Sequence, residues 1–279
     1  MIRVTEHDAT LDGEPVFWLQ GEGAGDGAVP VLYVHGVPTS ADDWPAFLQR
    51  TGGLAPDLPG FGRSGKRGDG DYTMHRYASW LERFLEDRGV DRFSLVVHDW
   101  GGIGLVLAQR FPERVERLVV MNAVPLLPGY RWHRLARVWR TRILGELFMG
   151  SVSRFTIKQL TRESNATKGP MPDAWLDHVI AHFDQGTQRA ILRLYRSADP
   201  EDLAAAGAQL GTLTCPTLVL WGDRDPYIPA SFADVYAAAI PGAELVRLPD
   251  AGHWPWLDRP DAVDTVAAFL AAGVPPTGG

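Results

Sequence analysis

The sequence predicts an α/β protein: a mostly parallel sheet with helices on both faces and an inserted helical lobe. Short apolar runs rich in β-branched residues, such as 93–97 and 115–121, alternate with segments of helical spacing. Turn residues follow these runs directly, which is typical of strands in βα units. Residues 125–210 contain no clear strand, and the alternation resumes at 217.

The elements follow in order from this pattern. Strands at 2–11 and 15–20 form an edge hairpin, a Gly-rich loop spans 21–27, and a buried strand spans 31–34. A helix runs over 73–87, with Thr73 as its N-cap and Gly89 as its stop. The lobe contains helical patches at 131–148, 151–160, 172–183, 187–197 and 201–209. A strand at 217–221, a helix at 231–239, a strand at 243–248 and a helix at 261–271 complete the chain.

We therefore predict a core formed by 1–124 and 213–272, a helical cap lobe at 125–212 and a disordered tail at 273–279.

The 279 residues are 45% hydrophobic with a net charge of −7, which predicts a soluble globular protein and argues against nucleic-acid binding. The five arginines within 130–142 are interpreted as the solvated face of an amphipathic helix, not as a membrane patch. With one cysteine, no intramolecular disulfide can form, and the absence of a signal-like or transmembrane-length apolar run predicts a cytoplasmic location.

The segment 93–111 has the strand–turn–helix pattern of a nucleophile elbow, with Asp99 at its tip and Gly101 and Gly102 in the turn. A carboxylate that attacks a saturated carbon displaces the leaving group and forms an ester that water can cleave. Asp99 therefore points to a substrate with an electrophilic sp3 carbon, such as an epoxide or an alkyl halide. The alternative is that Asp99 is only a helix N-cap.

The run His35-Gly36-Val37-Pro38 follows a buried strand, where the backbone N–H of Val37 can serve as an oxyanion donor. The second donor is expected to be the N–H of Trp100. A tight turn without a catalytic role is the alternative for this run. Contacts with the substrate are expected from His35, Pro38, Trp100 and Trp254.

Two further loops follow predicted strands at the same sheet edge as Asp99. One carries Asp223 and Asp225, and the other carries His253. The order nucleophile, acid, histidine predicts His253 as the base and Asp225 as the acid that orients it, with Asp223 as the competing acid. Asn122 also ends a strand, and we interpret it as a structural hydrogen-bonding residue.

These motifs together resemble the α/β-hydrolase superfamily, and specifically its aspartate-nucleophile branch of soluble epoxide hydrolases, haloalkane dehalogenases and fluoroacetate dehalogenases. The resemblance implies the α/β-hydrolase fold with a cap, and no metal or organic cofactor. Its implied partners are water and a small apolar electrophile, for a monomer or homodimer. Fluoroacetate dehalogenases carry arginines after the nucleophile, where this chain has Trp100 and small or apolar residues.

For an epoxide hydrolase, which we take as the leading expectation, the resemblance implies that Tyr195 donates a proton to the opening ring. The alternative, a haloalkane dehalogenase, needs two N–H donors for the halide. Trp100 supplies one, Val37 has no side-chain donor, and the candidates for the second are the lobe residues Trp132, Trp139 and Trp175. An alternative of another class is a catalytically silent ligand receptor with the same fold.

Overall fold

The computed structural model describes residues 1–22 and 29–272, so most of the predicted Gly-rich loop and the predicted tail lie outside the described residues. Eight strands form one sheet in the order β1-β2-β4-β3-β5-β6-β7-β8. The strands are β1 (Val4–Leu11), β2 (Glu14–Gly21), β3 (Val31–Val34), β4 (Gly53–Pro56), β5 (Phe93–Asp99), β6 (Val115–Ala123), β7 (Thr217–Gly222) and β8 (Glu244–Leu248). Strands β1 and β2 pair antiparallel, as does β2 with β4, and the other pairs are parallel. The predicted edge hairpin and the mostly parallel sheet are confirmed.

Helices cover both faces of this sheet. In chain order they are α1 (Pro45–Thr51), α2 (Met74–Asp87), α3 (Gly104–Arg110), α4 (Arg134–Arg140), α5 (Leu144–Gly150), α6 (Arg154–Leu160), α7 (Asp173–His182), α8 (Gln185–Arg196), α9 (Pro200–Ala206), α10 (Ser231–Ala239), α11 (Pro255–Asp258) and α12 (Asp261–Ala271). The buried apolar side chains form two clusters, because strands that are covered on both faces contribute alternate residues to each. None of the described helices has both the length and the apolar character needed to cross a bilayer.

The register of the parallel strands brings the strand ends together. Asp99 at the end of β5 lies opposite Ala123 at the end of β6, and Gly222 at the end of β7 lies opposite Leu248 at the end of β8. The loops that follow these strands therefore meet at one edge, where open α/β sheets bind ligands.

Helices α4 to α9 lie between β6 and β7, in the region of the predicted lobe, which we call the cap. The predicted helical patch at 131–148 contains two helices, α4 and α5, rather than one continuous helix. Between them Ile143 has a φ of 69°, a left-handed conformation that a β-branched residue rarely adopts and that cannot continue a right-handed helix. Helical spacing alone did not reveal this break.

Candidate active site

The nucleophile elbow has the backbone geometry that its sequence predicts. Asp99 has φ 50° and ψ −125°, which is a strained conformation for a residue with a side chain. A Cβ atom at Gly101 would collide with the carbonyl oxygen of Val34, and one at Gly36 would collide with the side chain of Asp99. The Asp99 side chain makes no capping hydrogen bond to the turn that follows it, which is evidence against the N-cap alternative. The turn instead presents the carboxylate of Asp99 at the sheet edge.

The loop after β3 meets this carboxylate. The backbone N–H of Val37 donates a hydrogen bond to Asp99 Oδ1 at 2.8 Å, and the Val37–Pro38 peptide bond is cis. The prediction that His35 contacts the substrate was wrong. Its ring is fully buried, with Nδ1 against the carbonyl of Gly36 (2.8 Å) and Nε2 accepting from the N–H of Leu58 (3.0 Å). His35 therefore supports the loop after β3 from the buried side, through hydrogen bonds to the backbone.

The predicted base and acid lie beside Asp99. His253 Nε2 is 3.5 Å from Asp99 Oδ2, and His253 Nδ1 is 2.7 Å from Asp225 Oδ2. All three side chains are buried or nearly so. Asp223, the competing acid, instead forms an ion pair with Arg247 at 2.9 Å. The structure thus favours Asp225 as the partner of His253.

Asn122 fixes the orientation of Asp225, in keeping with its predicted structural role. Its Nδ2 donates to Asp225 Oδ2 (2.8 Å) and to the carbonyl of Gly222 (3.1 Å), while its Oδ1 accepts from the N–H of Gly222 (2.8 Å). The other oxygen, Asp225 Oδ1, accepts from the backbone N–H groups of Tyr227 (2.7 Å) and Ile228 (3.0 Å). Both carboxylate oxygens are therefore fully engaged, and the acid cannot rotate freely.

The charges of this group are strongly coupled. Burial alone would raise the pKa of Asp99, but the hydrogen bond and charge of His253 hold it below its ordinary value. Burial alone would lower the pKa of His253, but the carboxylates of Asp225 and Asp99 raise it to about 10. At neutral pH the free site therefore contains an imidazolium between two carboxylates.

A narrow cavity of about 70 Å³ lies above Asp99, between the sheet edge and the cap. Its walls are mainly apolar, and its lining includes Asp99, His253, Val37, Pro38, Trp254, His133, Leu135, Trp139, Phe148, Met149, Val152, Ile157, Leu160, Thr161, Phe183, Ile191, Tyr195 and Tyr227. The predicted contact residues Pro38 and Trp254 line it. Trp100, which was also predicted to contact the substrate, does not line it; its ring packs against that of Tyr195, which does.

Tyr195, on α8, is packed among tryptophans of the core and cap, with ring centroids 5.1 Å from Trp100 and 4.8 Å from Trp139. Burial and the charge of Asp99 raise the pKa of its hydroxyl well above the ordinary value, and the nearby side chain of Trp100 offsets only part of this rise. The hydroxyl therefore keeps its proton at neutral pH. Trp100 Nε1 is buried and has no hydrogen-bond partner in the described part of the chain.

Several polar residues at this site were not predicted from the sequence. His98 Nε2 donates to the carbonyl of His253 (2.7 Å), and the carbonyl of Ser164, in the cap, accepts from the N–H of His253 (2.8 Å). The hydroxyls of Ser164 and Tyr227 are 2.9 Å apart. A polar residue at position 98, within an apolar strand, was a signal in the sequence that could have identified His98, whereas no such signal marked Ser164 or Tyr227.

Across 1–22 and 29–272, no cluster of His, Cys, Asp or Glu side chains is suited to hold a metal ion.

Comparison with known proteins agrees with this architecture. The model of the Alpha/beta hydrolase family matches residues 31–266. The chain belongs to this family. The hydrolase is 30% identical to a haloalkane dehalogenase of Mesorhizobium japonicum over 88% of this chain and 86% of the relative, and 28% identical to one of Bradyrhizobium diazoefficiens over 90% and 89%. The solved epoxide hydrolase CorEH superposes with a TM-score of 0.79 over 96% of this chain and 99% of its own, at 20% identity, a likeness that shows the fold alone.

Proposed function

We propose that this hydrolase removes halide from an apolar alkyl halide through a covalent ester on Asp99. The observation that carries the proposal is a carboxylate, not a hydroxyl, at the elbow, held by Val37 and His253 beneath a mainly apolar cavity. A carboxylate at this position suits attack on a saturated carbon. The haloalkane dehalogenase names of the curated relatives favour halide as the leaving group over the epoxide that the sequence alone favoured.

In the first step, one oxygen of Asp99 attacks the carbon that bears the halogen. The carbon–oxygen bond forms as the carbon–halogen bond breaks, and the halide leaves with the bonding electron pair. No proton transfer is needed, so the leaving halide requires only hydrogen-bond donors. We take the buried Trp100 Nε1–H as one such donor, because it has no partner among the described residues and its ring packs on Tyr195, which lines the cavity.

In the second step, His253 takes a proton from water, and the resulting hydroxide attacks the ester carbonyl of Asp99. The N–H of Val37, already directed at this carboxylate, stabilises the oxyanion together with the N–H of Trp100. Collapse of this tetrahedral intermediate releases the alcohol and restores the Asp99 carboxylate. Asp225 stabilises the imidazolium that forms.

The first step also prepares the base for the second. In the free enzyme, two carboxylates hold the pKa of His253 at about 10, which keeps the ring protonated. Esterification removes the negative charge of Asp99, so the pKa of His253 falls and the ring can lose its proton to solvent. The hydrolytic base is thus activated only after the nucleophile has reacted.

The second candidate function is epoxide hydrolysis. It is favoured by Tyr195, which lines the cavity and whose hydroxyl, with its pKa raised by burial and by the charge of Asp99, keeps its proton at neutral pH. Such a hydroxyl could protonate the oxygen of an opening epoxide, a step that halide departure does not require.

A product assay on the purified protein separates the two candidates. A panel of bromo- and chloroalkanes and of terminal and aryl epoxides is scored in parallel for free halide and for diol. Halide release without diol supports the proposal, and diol without halide replaces it with the epoxide candidate. Formation of neither product from any member of the panel contradicts both.

A further inference from the structure

The cap contains a histidine that neither the sequence motifs nor the triad explains. His133 precedes α4, and its Nδ1 accepts a hydrogen bond from the backbone N–H of Ala136 at 3.4 Å. A ring nitrogen that accepts a hydrogen bond carries no proton, so the neutral ring must carry its proton on Nε2. The N-cap of α4 therefore fixes the tautomer of this side chain.

The ring of His133 shares a cavity with the reactive groups. It lines the same cavity as Asp99, Tyr195 and His253, and it packs on Tyr227 with ring centroids 5.0 Å apart. Burial lowers the pKa of His133 to about 4, and the negative charge of Asp99 offsets only part of this shift. The ring is thus neutral at neutral pH. Across 1–22 and 29–272, its Nε2 forms no hydrogen bond.

The other candidates for a second halide donor are less suitable. Val37 has an aliphatic side chain. Trp132 Nε1 already donates to the carbonyl of Ala198 at 3.1 Å, and Trp175 packs against Trp254 without lining the cavity. Trp139 is the strongest rival, because it lines the cavity and its buried Nε1, like that of Trp100, has no partner among the described residues. His133 combines a fixed N–H with a place on the cavity wall.

We propose that His133 Nε2–H is the cap-side hydrogen-bond donor to the atom that leaves the carbon attacked by Asp99. This inference rests on the proposed function, and it assigns the second donor of that reaction to a histidine. As the carbon–halogen bond breaks, the Nε2–H shortens its hydrogen bond to the developing halide, and no proton is transferred. The neutral ring can donate without bringing a second cation close to the His253 imidazolium.

The first test needs no turnover. The imidazole nitrogens of His133 are followed by ¹⁵N NMR during titration of the full-length protein with sodium bromide, with sodium sulfate at equal ionic strength as the control. We expect the Nε2–H tautomer before titration and a saturable, bromide-specific shift of the Nε2 signal. A His133 signal that does not respond to bromide, or an Nδ1–H tautomer, overturns the proposal even if the product assay finds no substrate.

The second test separates hydrogen bonding from packing. His133→Ser retains a good helix N-cap and removes the N–H, and Thr73→Ser at the N-cap of α2 is the matched control far from the cavity. With a chloroalkane we expect His133→Ser to slow halide release in a single turnover about tenfold to a hundredfold. The loss should be much smaller with the corresponding iodoalkane, because iodide accepts hydrogen bonds weakly and leaves readily. Equal losses for both leaving groups, or no loss, would show that His133 only packs against the cavity.

Discussion

The two walls of the cavity are held in different ways. On the core side, backbone groups and strand ends fix the reactive side chains: the N–H of Val37 holds Asp99, and two backbone N–H groups hold Asp225. On the cap side, Tyr195 is held mainly by rings packed against it, and His133 is tied to the backbone through a helix cap. In the proposed mechanism, the core wall therefore supplies the attack on carbon, and the cap wall supplies the contacts to the leaving group.

Asp99→Asn tests the core wall and should have the largest effect. An amide is a poor nucleophile, so we expect turnover to fall by a factor of about 10⁴ or more. The assay uses freshly purified protein whose intact mass verifies the substitution. Full activity in such a sample would exclude Asp99 as the nucleophile.

Asn122→Ala tests how much the fixed orientation of Asp225 contributes to turnover. It removes the hydrogen bond to Asp225 and leaves the N–H of Gly222 without its partner, so we expect kcat to fall about tenfold with little change in KM. Thermal unfolding of the same variant shows how much of the loss is structural. An unchanged kcat and an unchanged pH profile would mean that the contacts of Asp225 with the backbone suffice to orient it.

The pH dependence should separate the two chemical steps. Alkylation needs the Asp99 carboxylate, whose pKa lies below its ordinary value, so halide release in the first turnover should be flat above about pH 5. Ester hydrolysis needs neutral His253, so steady-state turnover should fall as the pH is lowered through the pKa of His253 in the ester. Stopped-flow measurements should therefore show a halide burst at acidic pH. Parallel pH profiles for the two phases would contradict activation of His253 by loss of the Asp99 charge.

Ile143→Gly tests the cap alone and should have the smallest effect. Glycine adopts the φ of 69° without strain, and the Ile143 side chain is 73% exposed, so little packing is lost. We expect the free energy of unfolding to rise by about 1 kcal/mol. Leu147→Gly, at an exposed position inside α5, is the control and should lower it by about 1 kcal/mol. Destabilisation by both variants would show that Ile143 is not strained.

The same contrast explains what could be predicted from the sequence. The sheet, the elbow and the residues Asp99, Asp225 and His253 follow from local patterns, because a strand end fixes where the next few residues lie. The direction of a ring does not follow from such patterns. His35 belongs to the predicted loop but points into the core, and His98 supports His253 through a contact 155 positions away in the sequence. The positions of His133 in the cap and of Tyr227 in the loop after β7 depend on tertiary packing, which no periodicity encodes.

The most direct test of the central claim is to trap the ester. His253→Gln removes the base of the second step while Asp99 can still react, so incubation with a reactive bromoalkane should yield one covalent adduct for each chain. Peptide mass spectrometry should place the added alkyl group on Asp99, and the adduct should be absent from the His253→Gln variant that also carries Asp99→Asn. An alkyl group on another residue, or release of bromide without an adduct, would contradict the account.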